Sequence, residues 1–339
     1  MHIDYTAHAI FFAFLMVLLI QLTSGAQSKR PEPVIEPVVH HVLRDEGGAP
    51  IVLIDFDPRG MRQVHMADEP KLDWVGPGSP DDTAWDYREF HWWKGRPGRA
   101  DDFRPRLFAT VAMDASGLAD GYLRIDYQID GMDCTQQYLL PKIVDPHAPY
   151  WDVAITIRND SAGDVEEYGQ FFACYTMPNG DWPDGDSHWY WDHSGKLILW
   201  ADRGVKHLNG YIAHGEAYFY EEGAVPHCPR GGGRIIGTWH QPVLVSHATA
   251  AGWRSVVMIG PAHTAAISQG RTGLAMDYIL FPGPKARTFH KGDQFTAHVR
   301  HVMIKSPKLP TVERLERLWQ AFEDEVEAVD ARAKKLRRK

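Results

Sequence analysis

The amino-acid sequence predicts an all-β protein, a large antiparallel β-sandwich that is followed by one C-terminal α-helix. Between Val38 and Ile304, short segments rich in Val, Ile, Tyr, Trp and Phe are separated by Pro, Gly, Asp and Asn, which is typical of sandwiches and barrels. After Pro310 the apolar residues change to a helical spacing. The chain has 339 residues, of which 44% are hydrophobic, so it can bury a large core without disulfide bonds.

The first 37 residues are expected to lie outside the sandwich. Residues 9–22 are almost continuously apolar and are followed by small residues that end at Ala26, the pattern of a signal peptide. The apolar run is short for a bilayer span, and an uncleaved anchor is the alternative. We therefore predict a signal peptide over residues 1–26, a polar, proline-rich linker over residues 27–37, and a secreted or periplasmic protein with no membrane span after cleavage.

The sandwich domain is predicted to span residues 38–308. In its last segment the apolar Phe295, Ala297 and Val299 alternate with the polar Thr296 and His298, as expected for a half-buried strand. The segments that fit strands best are Pro50–Phe56, Tyr122–Ile129, Trp151–Ile157, Tyr168–Thr176, Arg254–Ile259 and Gln294–Ile304.

Residues 309–339 are predicted to form an amphipathic helix. Thr311 can cap its N-terminus, and apolar residues recur every three or four positions from Val312 to Val329. Lys and Arg crowd its last turns, where their charge complements the helix dipole. We expect the helix to lie against the sandwich; dimerisation through it is the alternative, and the oligomeric state stays open.

Charge and cysteine content exclude several function classes. The formal net charge of −8 argues against a nucleic-acid partner, because phosphate binding needs a basic surface. Cys134, Cys174 and Cys228 allow at most one disulfide bond and have no zinc-site spacing, so we expect small buried side chains. The sequence also lacks a Gly-x-Ser-x-Gly elbow, a Walker loop, a dinucleotide fingerprint and a His-Glu-x-x-His motif.

The most informative stretch for chemistry is residues 178–193, an Asp-, Gly- and Pro-rich loop that ends in an aromatic strand. In an extended strand His188, Tyr190 and Asp192 project to one face, where they could serve as base, acid and orienting group. Trp189 and Trp191 project to the other face, where they could stack on a sugar ring. The alternative is that these tryptophans belong to the core.

The same stretch allows a metal site. Asp184 and Asp186 alternate with His188, as ligands of a hard cation such as calcium can do. Plain turns are the alternative, because Asp-Gly runs favour them. No other cofactor is required by the sequence.

Two further clusters contain candidate site residues. Arg88, His91 and Trp92 are candidates for substrate binding within an aromatic segment. His214 and Glu216 are two residues apart, so a strand would put both on one side, able to share a proton or a metal. Surface strands with a polar outer face are the alternative.

From Trp151 onward, the chain resembles the galactose-mutarotase-like β-supersandwich group. The resemblance lies in residues 151–175, a strand, an Asn-Asp-Ser turn and a returning strand, and in residues 281–304, a Gly-containing turn before a long strand. The group contains aldose epimerases, polysaccharide lyases and domains of glycoside hydrolases, so the resemblance implies a carbohydrate ligand. The epimerase His and Glu motifs are not recognisable, and the resemblance therefore implies no catalytic residue.

Together these features predict a carbohydrate-active protein that acts on an oligo- or polysaccharide. As a polysaccharide lyase it would use Tyr190 or His188 for proton transfer at a uronate. As a glycoside hydrolase it would need two carboxylates, with Asp186, Asp192 and Glu216 available. A sugar epimerase and a non-catalytic sugar-binding or envelope protein are the remaining alternatives.

Overall fold

The computed structural model describes most of the sandwich and the helix. The signal peptide and linker predicted over residues 1–37 lie outside its described residues. Among the helices that it describes, none has the length and apolar character needed to cross a membrane. The described residues are 38–58, 60–75, 87–93, 96–97, 110–129, 131–175, 188–203, 210–213, 234–269, 275–286 and 288–336.

The described elements are β-strands, short 3-10 turns and one long α-helix, which confirms the predicted fold class. The strands are β1 (Val39–Arg44), β2 (Pro50–Asp57), β3 (Gly60–Met66), β4 (Tyr87–Trp93), β5 (Arg96–Pro97), β6 (Thr110–Asp114), β7 (Tyr122–Ile129), β8 (Met132–Leu139), β9 (Tyr150–Asn159), β10 (Val165–Glu166), β11 (Gly169–Tyr175), β12 (His188–Asp192), β13 (Leu197–Leu199), β14 (Gly210–Ala213), β15 (Arg234–Ser246), β16 (Trp253–Ile259), β17 (Thr264–Gln269), β18 (Ala275–Leu280), β19 (Thr288–Phe289) and β20 (Gln294–Lys305); the helix is α1 (Val312–Leu336).

Strand β15 joins two halves of one large sheet. Its first residues pair with β14, and its last residues pair with β12 and β16. The strands β5-β4-β11-β18-β17-β14 form one side, which we call the β18 half. The strands β16-β20-β9-β8-β7-β6, with β12 and β13 beside β15, form the β20 half.

The two halves contribute to one core. Phe172 and Tyr278 of the β18 half belong to the same buried cluster as Val153 and Val257 of the β20 half. The inner faces of both halves therefore meet in a sandwich, as the alternation of apolar and polar residues predicts. A separate three-stranded sheet, β1-β2-β3, adds to this core, with Phe56 packed edge-on against Tyr138 at 5.1 Å.

The outer face of the β20 half is covered by α1. Leu315, Trp319 and Phe322 of the helix pack against aliphatic side chains that include Val256 and Val302. The helix begins at Val312, and the hydroxyl of Thr311 accepts a hydrogen bond from the backbone N–H of Arg314 at 3.3 Å. This cap ends the extended segment after β20 and starts the helix.

Two of the three cysteines lie in described strands. Cys134 lies buried in β8, as expected for a small apolar side chain. Cys174 belongs to β11, and Cys228 lies outside the described residues.

Candidate functional site

The structure places His188, Tyr190 and Asp192 on the inner face of β12. Their exposed fractions are 0%, 0% and 3%. Tyr190 packs edge-on against Trp200 at 5.4 Å, and Asp192 accepts a hydrogen bond from the backbone N–H of Ser194 at 2.7 Å. The three side chains are thus buried. Their catalytic roles stay predictions.

Burial also determines the protonation state of His188. Because burial disfavours the charged imidazolium and His247 adds repulsion, the pKa of His188 falls to about 3. The ring is therefore neutral at physiological pH. A group with so low a pKa is poorly matched to general base catalysis near neutrality.

Trp191 lies on the outer face of β12, beneath α1. Its exposed fraction is 1%, and it belongs to the cluster that joins the sheet to the helix. Its ring lies 4.8 Å from the ring of His240, and its indole N–H has no acceptor among the residues that the structure describes. For Trp191, packing is therefore the better-supported role, since its side chain is almost completely buried.

Trp189 lies on the same outer face and remains half-buried. Its ring is 4.6 Å from that of the half-buried His247, in an edge-on contact, and the guanidinium carbon of Arg254 lies 5.8 Å from its centroid. We call these three residues the Trp189 cluster. It combines an aromatic face, an imidazole and a cation at one place on the sheet.

The guanidinium of Arg254 is held by backbone carbonyls. It donates from Nη1 to Ser246 at 2.9 Å, from Nε to Ser306 at 3.2 Å and from Nη2 to Pro307 at 3.0 Å. A guanidinium has five N–H donors, so two have no acceptor within the described part of the chain. Burial lowers the pKa of Arg254, and no described carboxylate opposes that effect.

Arg300, on the neighbouring strand, has carboxylate partners. It donates to both oxygens of Asp152, at 2.7 and 2.9 Å, and to Glu325 of α1 at 2.7 Å. Burial opposes its charge, but the hydrogen bonds to Asp152 and Glu325 outweigh that penalty and raise the pKa of Arg300. Tyr150 also donates to Glu325, at 3.1 Å. This group attaches the helix to the sheet.

A second polar site lies on the β18 half. Asp277 and Ser268 are opposite each other in register, on the face away from the core-facing Tyr278. Both are buried, with exposed fractions of 2% and 0%. Sequence analysis missed this acid, Arg254 and Arg300, although a charged residue inside an apolar strand signals a buried partner.

The remaining predicted site residues fall into two groups. Asp184, Asp186, His214 and Glu216 lie outside the described residues. Strand β4 contains the other three candidates and pairs with β11 in the β18 half, with Arg88 opposite Phe172, His91 opposite Gln170 and Trp92 opposite Gly169. These assignments stay predictions.

The described side chains contain no group of three or more His, Cys, Asp or Glu residues placed to hold a metal ion. Two of the predicted calcium ligands, Asp184 and Asp186, are not among those side chains. The metal site therefore also stays a prediction.

Comparison with known proteins gives similarity only to solved structures; no family model and no curated protein matches the chain. One similar structure is a candidate aldose 1-epimerase of Escherichia coli K12 (9% identity, TM-score 0.43, covering 79% of this chain and 99% of that one). Another is a GalM/aldose epimerase homologue of C. elegans (7%, 0.46, 80% and 100%). A third is a galactose mutarotase related enzyme of Lactobacillus acidophilus (7%, 0.38, 80% and 100%). By name these proteins belong to the group that the sequence resembles, and no residue of theirs is transferred to this chain.

Proposed function

We propose that this protein is exported and binds a carbohydrate, an oligo- or polysaccharide, at the Trp189 cluster. The observation that supports this proposal is the half-buried indole of Trp189, flanked by the ring of His247 and the guanidinium of Arg254. An indole offers a rigid apolar face on which the C–H groups of a pyranose can pack. Imidazole and guanidinium groups beside that face can bind hydroxyl groups.

Binding without bond cleavage is the form of this function that the geometry favours. His188, Tyr190 and Asp192 are buried on the inner face, whereas Trp189 lies on the outer face. A lyase, a hydrolase or an epimerase would need acid–base groups beside the bound sugar. Lyase and hydrolase activities are outcomes that the experiment below distinguishes.

The first experiment measures binding of the purified chain to a panel of neutral and acidic polysaccharides by calorimetry. Trp189→Ala is expected to raise the dissociation constant about tenfold, because a well-packed aromatic contact contributes about 1 kcal/mol to binding. The matched control is His290→Ala, which removes an exposed ring at the other end of β20, beside Asp164. Absence of binding, or binding that Trp189→Ala leaves unchanged, contradicts the proposed function.

The same mixtures are assayed for reducing ends and for the ultraviolet absorbance of unsaturated uronates. An increase in both reducing ends and absorbance identifies a lyase, and an increase in reducing ends alone identifies a hydrolase. Export is tested separately by sequencing the N-terminus of the protein recovered outside the cytoplasm. A mature chain that begins near Gln27 supports the predicted signal peptide, and an intact N-terminus contradicts its cleavage.

A further inference from the structure

We propose that the carbohydrate bound at the Trp189 cluster carries an anionic group, a carboxylate or a sulfate ester, and that Arg254 binds that group. This inference rests on the proposed function, because it names the class of sugar for the same site. The shared chemistry is a ring with a negatively charged substituent. The source of the charge is distinguished by experiment.

The first argument is the hydrogen bonding of Arg254. Three backbone carbonyls, from Ser246, Ser306 and Pro307, fix the plane of the guanidinium. Two of its five N–H donors have no acceptor among the described residues. A guanidinium that is already held in place loses little conformational entropy when it binds an anion, and its planar fork matches carboxylate and sulfate oxygens.

The second argument is charge. Four other strand arginines contact a carboxylate, Arg62 with Asp57, Arg124 with Asp126, Arg158 with Asp133, and Arg300 with Asp152, whereas the exposed Arg44 of β1 donates to the carbonyl of Gly48. Arg254 is only 5% exposed, yet no described carboxylate contacts it. A buried charge without a counter-charge costs free energy, and an anion that binds to this guanidinium supplies the counter-charge.

The two acidic residues that lie near the β15–β16 turn are already engaged. Asp68 accepts hydrogen bonds from the indole N–H of Trp253 and from Lys305. Glu69 accepts from the hydroxyl of Thr249 and from the backbone N–H of Ala251. These contacts attach the three-stranded sheet to the β20 half, so neither carboxylate is placed to neutralise Arg254.

The third argument is the position of the indole. The Trp189 and His247 rings are in edge-on contact with their centroids 4.6 Å apart, and the guanidinium carbon of Arg254 lies over the indole, 5.8 Å from its centroid. A pyranose that packs on this indole has its exocyclic substituents beside the ring, within reach of a neighbouring cation. Lys308 follows the carbonyl that holds Arg254 and is exposed, which adds positive charge to the approach.

The test compares the native chain on matched pairs of polysaccharides that differ only in charge. Polygalacturonate is paired with its methyl ester, and a sulfated galactan with its desulfated form. In at least one pair, we expect the dissociation constant of the charged member to be at least about tenfold lower than that of the neutral member, because hydrogen bonds to a charged group are stronger. The pair that responds identifies carboxylate or sulfate as the source of the charge.

The variants are Arg254→Gln and Arg254→Lys, with Arg158→Gln as the control that removes an exposed cation from the same sheet face. Arg254→Gln is expected to abolish the preference for the charged member, measured as the ratio of the dissociation constants of the two members of a pair. Arg254→Lys retains the charge without the planar fork and should keep part of the preference. Arg158→Gln should leave it unchanged.

The outcomes separate this inference from the proposed function. Equal binding of both members by the native chain overturns the inference and leaves carbohydrate binding intact, whereas failure of every polysaccharide to bind overturns the proposed function itself. A folded Arg254 variant that keeps the full preference also overturns the inference. If Arg254→Gln does not fold, the native comparison and Arg254→Lys still decide.

Discussion

Beneath helix α1, Arg300 donates to Asp152 and Glu325, and Trp191 is closed off from solvent. On the same outer face, Arg254 donates to carbonyl oxygens and Trp189 stays half-buried. Each region thus takes one arginine from neighbouring strands and one tryptophan from β12. Arg300 has carboxylate partners, one of them from the helix, whereas Arg254 has only backbone carbonyls among the described residues. This difference is the basis for assigning a structural role to the first region and for proposing a binding role for the second.

The covered region should be the more sensitive of the two to mutation. Replacing Arg300 with Met leaves the carboxylate of Asp152 buried without its counter-charge. We expect a loss of about 4 kcal/mol in the free energy of unfolding, measured by urea denaturation. Arg158→Gln, which breaks an exposed pair, should cost less than about 1 kcal/mol. Similar losses in the two variants would show that Arg300 does not depend on its buried partner.

The two tryptophans of β12 should also differ. Trp191→Ala is expected to cost about 3 kcal/mol, at the low end for a buried aromatic residue, because the indole N–H that is removed with the ring has no acceptor within the described part of the chain. Trp189→Ala should cost about 1 kcal/mol, because its ring is only partly buried. Thermal and urea unfolding measure both. A larger cost for Trp189→Ala would reverse the assignment of the two faces.

His188, on the inner face beside Ser246, makes stability depend on pH. Its pKa is about 3 in the folded protein against 6.5 ordinarily, so the unfolded chain takes up the proton first as the pH falls. The contribution of His188 to the free energy of unfolding is fully present above about pH 6.5 and is lost as the pH falls towards 3. The loss is about 2 kcal/mol between about pH 7 and about pH 5. Plots of the free energy of unfolding against pH for the native chain and for His188→Gln should converge between about pH 7 and about pH 5. Parallel plots would contradict the prediction.

The smallest effect on stability is expected at Arg254. Arg254→Met loses three hydrogen bonds to carbonyls, but it also removes a buried charge that no described carboxylate compensates. The net loss should be about 1 kcal/mol. Urea unfolding beside Arg300→Met checks the order of the two arginines. A loss at Arg254 that equals the loss at Arg300 would make it a structural clasp of the strand ends and weaken its assignment to a ligand.

Periodicity in the sequence predicted the fold class because it is a local property. The alternation along β20 and the helical spacing after Pro310 both correspond to described elements. The same alternation predicted that His188, Tyr190 and Asp192 share a face. It could not predict that this face is the inner one, since β12 is flanked on both faces by apolar partners, Leu244 inside and Val245 outside.

The candidate site was less accessible to sequence reasoning. His247 has no informative spacing, and Arg254 is visible only as a cation in the apolar segment 253–259. Such a cation indicates that a partner exists, but its partners here come from β15 and from the segment after β20. A spacing rule cannot identify them, because they are brought together by the pairing of three strands.

By itself, then, the sequence determined an all-β sandwich with a terminal helix, and it indicated β12 as a strand that contains several side chains suited to acid–base chemistry. The tertiary structure decided which side of β12 is covered and which arginine receives a carboxylate. The physical reason is distance along the chain: Asp152 reaches Arg300 across 148 positions. Strand and helix periods arise from neighbouring residues, whereas burial and charge compensation arise from segments that meet only when the chain has folded.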